Sequence, residues 1–81
     1  MSGQYDHNPP SNARFDPTAL RQRLADVATA IAGTEDRVAE TLERMAVARP
    51  DDAAGLKARA AQARQHAAME RSRAATLNLP R

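Results

Sequence analysis

The sequence predicts an all-α protein built as an antiparallel, two-helix hairpin of coiled-coil type. Three observations predict it. The only valines and isoleucine, Val27, Ile31, Val38 and Val47, recur at helical rather than alternating spacing. Tyr5 and Phe15 are the only aromatic residues, so the β-branched and aromatic alternation that a sheet surface needs is missing. Asp16-Pro17 and Pro50-Asp51-Asp52 then punctuate the rest of the chain into two long stretches.

Residues 1–15 contain glycine, asparagine, serine and a proline pair without hydrophobic periodicity, and read as a flexible tail. Phe15 is its one large apolar group and is placed to staple the start of the next element. The hairpin is expected over 16–79. Asp16 is an N-cap residue and Pro17 suits the first helical position, where the missing N–H costs nothing.

A helix over 17–49 follows. Its aliphatic residues step by four and three, with Leu24, Ile31, Val38 and Met45 at one core position of a heptad. Leu20, Val27, Thr34, Thr41 and Ala48 occupy the other. Thr34 and Thr41, being polar at core positions, are expected to fix the packing register. A small residue follows each of the first set: Ala25, Ala32, Ala39 and Ala46. With Ala28 and Leu42 beside them, the apolar arc is wide enough to touch more than one neighbouring helix. Gly33 costs a helix interior about 1 kcal/mol relative to alanine, and Thr34-Glu35-Asp36 could cap a fresh helix. The heptad phase passes through Gly33 unshifted, which favours one continuous helix over a three-helix arrangement.

Pro50 ends that helix, a turn is expected over 50–52, and Asp51 and Asp52 are the capping candidates for a second helix over 53–77. So short a connection folds the second helix back against the first. The second helix repeats every seven residues, each block opening on two alanines: Ala53-Ala54, Ala60-Ala61, Ala67-Ala68, Ala74-Ala75. Asn78 suits a left-handed cap, Leu79 a fold-back contact, and Pro80 prevents continuation.

Alanine lets helices approach closely but buries little area per residue. A lone hairpin with so few large side chains should be marginal. Two hairpins joined by a two-fold axis into a four-helix bundle are the expected remedy, a homodimer. Its interface would draw on Leu20, Leu24, Val27, Ile31, Val38, Leu42, Met45, Leu56, Ala60, Ala63, Ala67 and Leu77. A hairpin completed by a different protein is the rival.

Charge supplies the candidate partner surface. From Ala53 to Arg81 the basic residues are Lys57, Arg59, Arg64, Arg71, Arg73 and Arg81 and the only acid is Glu70, a net +5. The first helix balances five arginines against five acids. Its flanking Arg23, Arg37 and Arg44 argue against full neutralisation of the second helix. Lys57, Arg59, Arg64, Arg71 and Arg73, with Tyr5 and Phe15 of the tail, are the candidate partner contacts. A solvated face, an acidic protein and a nucleic-acid backbone are the readings to weigh. Stacking aromatics and helix-turn-helix spacing are missing, so nucleic acid ranks below an acidic protein.

No catalytic site is expected: there is no glycine-rich phosphate loop and no nucleophile beside a base. No metal or cofactor site is expected either. His66 and Glu70, four residues apart, read as a surface pair rather than as metal ligands. Ser72 between Arg71 and Arg73 is a small exposed polar residue in a setting that kinases accept. With no cysteine, no apolar leader and no apolar run near the roughly 20 residues of a membrane span, a cytoplasmic protein without membrane contact is expected. Eleven arginines against one lysine, with abundant alanine, match the codon usage of a GC-rich bacterial genome.

The leading functional expectation is a small structural or adaptor protein acting through protein–protein contact by a self-associating hairpin. An accessory nucleic-acid-binding protein is the alternative. A regulator that masks a toxin or enzyme with its tail is a third reading.

Overall fold

The computed structural model describes residues 16–79. Two helices fill them: α1, Pro17–Ala48, and α2, Ala53–Leu77, joined by a 3₁₀ turn, Pro50–Asp52. There is no strand among the described residues. The tail, with the Tyr5 and Phe15 contacts expected of it, lies outside them.

α1 begins as its sequence dictates. Asp16 is extended, its Oδ1 accepts a 2.9 Å hydrogen bond from the Thr18 amide, and Pro17 occupies the first turn. The helix is continuous through Gly33 and ends at Arg49, whose N–H donates to the Met45 carbonyl. The second helix end departs from expectation. Asp52 sits at the N-cap of α2 without a side-chain capping bond. The 3₁₀ turn already uses the Asp52 N–H against the Arg49 carbonyl at 3.0 Å, so the preceding turn feeds the helix directly. Asn78 is not left-handed; it keeps right-handed geometry, and its N–H donates back to the carbonyls of the last turn.

The helices pack antiparallel. Glu43 meets Arg64, Asp36 meets Arg71 and Glu35 meets His66, so positions rising along α1 meet, in trend, positions falling along α2. The seam between them is an alanine seam. On α1 the buried residues are Ala25, Ala28, Ala32, Ala39, Leu42 and Ala46; on α2 they are Leu56, Ala60, Ala63, Ala67, Glu70 and Ala74. The α2 set follows steps of four and three, and the α1 set does so once half-buried Glu35 is counted between Ala32 and Ala39, which is the heptad of a left-handed coiled coil. Methyl side chains on both partners allow axes near the short end of the roughly 8–10 Å range for packed helices.

This seam is displaced by one residue from the aliphatic heptad. Leu24, Ile31 and Val38 do not enter it; their C-terminal neighbours Ala25, Ala32 and Ala39 do. Thr34 and Thr41 are likewise exposed and fix no packing between the helices. The Thr34 hydroxyl donates to the Ala30 carbonyl at 3.2 Å. Charge and size explain the choice. α2 offers alanine to its partner, which pairs most closely with alanine. Rotating α1 to bury Ile31 would also carry Arg37 and Arg44 toward Arg59 and Arg73, whereas the observed seam places Asp36 and Glu43 beside Arg64 and Arg71.

Candidate interaction surface

The seam divides into two apolar clusters with a polar layer between them. Near the turn, Ala39, Leu42 and Ala46 pack with Leu56, Ala60 and Ala63, with Met45 and Ala53 against them. At the open end, Ala25 and Ala28 pack with Ala74, and Leu77 covers them. Between the clusters His66 Nδ1 lies 2.9 Å from Glu35 Oε2, and its Nε2 lies 3.4 Å from Glu70 Oε2. An imidazole carrying both ring protons can donate to both carboxylates.

Glu70 is buried, and its Oε1 has no hydrogen-bond partner. That corrects the reading of His66 and Glu70 as a surface pair: one partner is exposed and the other belongs to the seam. The signal was available, because Glu70 continues the seven-residue series Leu56, Ala63, Leu77, and Glu35 stands between Ala28 and Leu42 in theirs. Among the described residues no group of three or more acidic, histidine or cysteine side chains is arranged to hold a metal ion.

One flank of the seam is electrostatically closed. Arg64 grips Glu43 through two hydrogen bonds, Nε to Oε2 at 3.0 Å and Nη2 to Oε1 at 2.7 Å. Its Nη1 also lies 3.8 Å from Asp36, to which Arg71 donates. The bond from Arg71 holds the Asp36 carboxyl below its ordinary value, as the bond from Arg64 does for Glu43; the same Glu43 bond raises Arg64. α1 therefore neutralises part of the charge on α2 and not all of it. Of the five basic candidates on α2, Arg64 and Arg71 are committed to the hairpin. Lys57, Arg59 and Arg73 make no ion pair with the described residues.

The other flank is apolar and open. Leu20, Leu24, Val27, Ile31 and Val38 form a stripe along α1, with exposures from 37% at Ile31 to 56% at Val27. Thr34 and Thr41 continue its spacing. An open groove beside Val38 is lined by Thr34, Arg37, Thr41 and Leu42. Across the hairpin, Val38 and Leu42 share a second groove with Glu35, Arg59, Gln62, Ala63 and His66. Arg37 donates to Thr34 at 3.5 Å and Arg44 to Thr41 at 3.3 Å, so both guanidinium groups lean along this stripe. α2 carries a further, larger apolar groove on its outer side, lined by Ala68, Met69, Ser72, Arg73, Thr76 and Leu77.

The expected interface residues thus divide into two populations. Leu42, Leu56, Ala60, Ala63 and Ala67 are buried inside one hairpin, with Met45 and Leu77 half-buried beside them. Leu20, Leu24, Val27, Ile31 and Val38 remain on its surface. No described helix is long and apolar enough to cross a membrane. Comparison with protein-family models, with curated proteins and with solved structures gives no match.

Proposed function

We propose that the protein is a non-catalytic adaptor or structural module that acts through protein–protein contact, with the aliphatic stripe of α1 as its docking surface. The observation that carries this reading is the displacement of the seam. α1 is built with two heptads side by side, and apart from Met45 the hairpin consumes only the alanine one. The residues with the larger transfer free energies, about 1.5–3 kcal/mol each when fully buried, stay half in water. A contiguous apolar stripe on so small a protein marks a contact site. Covering it with helical surface from a partner, whether a second hairpin or a different protein, completes a helical bundle.

A nucleic-acid role has less support. Two of the five arginine and lysine side chains that it would use are bonded to carboxylates of α1, and an aliphatic stripe offers nothing to a phosphate backbone.

Site-specific photo-crosslinking tests the proposal. A photoreactive residue replacing Ile31 is expected to yield discrete protein adducts in cells that make the protein. The same residue at Ala61, exposed on α2, is expected to yield none. Equal, diffuse labelling from both positions would refute a docking role for the stripe.

A further inference from the structure

The charges around the stripe narrow its occupant. It keeps heptad spacing from Leu20 to Met45, roughly 38 Å of helix at 1.5 Å per residue, so a partner helix of about 25 residues matches it. On the outer lip stand Arg23, Arg37 and Arg44, one position before Leu24, Val38 and Met45. Arg37 and Arg44 are bonded to threonine hydroxyls rather than to carboxylates. On the inner lip stands Arg59, in the groove that Val38 shares with α2, and Arg73 repeats its place two heptads on.

Four of the five acids of α1 are used elsewhere: Asp36 and Glu43 face Arg71 and Arg64 on the opposite flank, Glu35 faces His66, and Asp26 accepts from Gln22. The fifth, Glu40, is exposed behind the outer lip, within one helical turn of Arg37 and Arg44. An apolar strip therefore runs between two lips on which arginines outnumber acids: the one carboxylate lining its inner groove, Glu35, is paired with His66, and Glu40 stands behind the outer row of arginines.

We propose that this stripe docks an acidic amphipathic helix of a different protein, with apolar residues at heptad spacing and glutamate or aspartate on both sides of them. The inference rests on the reading of the stripe as a docking surface and adds the chemistry of what docks. A second copy fits poorly. Antiparallel pairing of two α1 stripes sets Arg23 against Arg44, or Arg37 against its own counterpart. Parallel pairing offers those arginines no carboxylate beyond the Glu35 already turned to His66. Like charges brought together at an interface are costly, and opposite charges on the lips supply both specificity and a faster encounter. An anionic membrane would match the charge but not the shape. The stripe is a narrow seam interrupted by Thr34 and Thr41, and it lacks the aromatic anchors and broad apolar face of interfacial helices.

The test uses the full chain and two synthetic helices of about 28 residues, four heptads, identical in their leucine and isoleucine positions. One carries glutamate at all flanking positions and the other lysine. The glutamate helix is expected to bind at least about tenfold tighter at low salt, with the preference shrinking as salt rises. Arg37→Glu with Arg44→Glu is expected to reverse the preference while leaving the helical circular dichroism unchanged, because neither side chain enters the seam.

Equal binding of the two helices, or tighter binding to anionic phosphatidylglycerol vesicles than to the glutamate helix, would overturn the acidic-partner inference. So would sedimentation of the chain as a dimer that Ile31→Glu with Val38→Glu dissolves, although that result would leave the docking surface standing. Diffuse crosslinking at Ile31, by contrast, removes the surface itself.

Discussion

Ile31 and Ala32 are adjacent in the chain and opposite in environment. Ala32 is 0% exposed at the meeting of the two helices, while Ile31 keeps 37% of its surface in solvent. The smaller residue is therefore the one that determines whether the hairpin closes. Ala32→Leu forces extra methylenes between backbones held at alanine distance and is expected to cost at least about 2 kcal/mol. Ile31→Ala removes only partly buried surface and is expected to cost under about 1 kcal/mol, close to a helix-surface change. Urea denaturation followed by helical circular dichroism compares them directly. A larger loss from Ile31→Ala would mean that the aliphatic heptad, and not the alanine one, holds the helices together.

The two packed helices are legible in the sequence because the absence of alternation, the Asp16-Pro17 start and the Pro50 stop all act locally. Which face closes is harder to read. Ranking residues by hydrophobicity selects Leu24, Ile31 and Val38, because a single chain shows no partner surface. The deciding facts are relational: α2 presents Ala60, Ala63, Ala67 and Ala74, and Arg64 and Arg71 need carboxylates that only the alanine face of α1 places beside them. The burial of Glu70 is hidden for a related reason. Its spacing from His66 is visible at once, but its membership of the seam shows only when Leu56, Ala63 and Leu77 are followed as a series.

Acid should loosen the hairpin through Asp36 and Glu43. Arg71 and Arg64 hold these carboxyls below the ordinary values of 3.8 and 4.5, mainly by hydrogen bonds to the charged form. A carboxyl depressed in the folded state contributes stability that is fully present above its ordinary value and is lost as pH falls through the folded value. The contribution is thus constant from neutrality down to about pH 5 and declines below about 4.5. Both groups are solvent-exposed, so added salt should blunt the effect. Asp36→Asn with Glu43→Gln is expected to flatten the acid limb of melting temperature against pH. An unchanged limb would show that these pairs add nothing to folding.

Gly33 should be replaceable by alanine with a gain. It lies inside continuous helix with no positive φ, and a Cβ built there finds only Arg37 Nη1, at 3.9 Å. No steric or conformational need for glycine remains, so Gly33→Ala is expected to stabilise by about 0.5–1 kcal/mol through the unfolded chain and helix propensity. The midpoint of urea unfolding should rise with an unchanged slope. A lower midpoint would reveal a close approach at Gly33 that the hairpin alone does not require.

Glu70 presents the converse case, a residue whose place in the seam works against the fold. It occupies the position filled elsewhere in α2 by Leu56, Ala63 and Leu77, is buried, and leaves Oε1 without a partner. A buried polar atom without a hydrogen bond costs about 1–3 kcal/mol, and its His66 contact at 3.4 Å offsets little of that. Glu70→Leu removes the carboxylate and continues the apolar series, so it is expected to raise stability by about 1 kcal/mol or more. Glu70→Ala separates the two effects, because it removes the charge without adding apolar bulk and should recover only the first part. His66 keeps Glu35 in either variant. If both variants melt lower than the native chain, the carboxylate is stabilising after all. The polar layer would then be what holds the two apolar clusters in step.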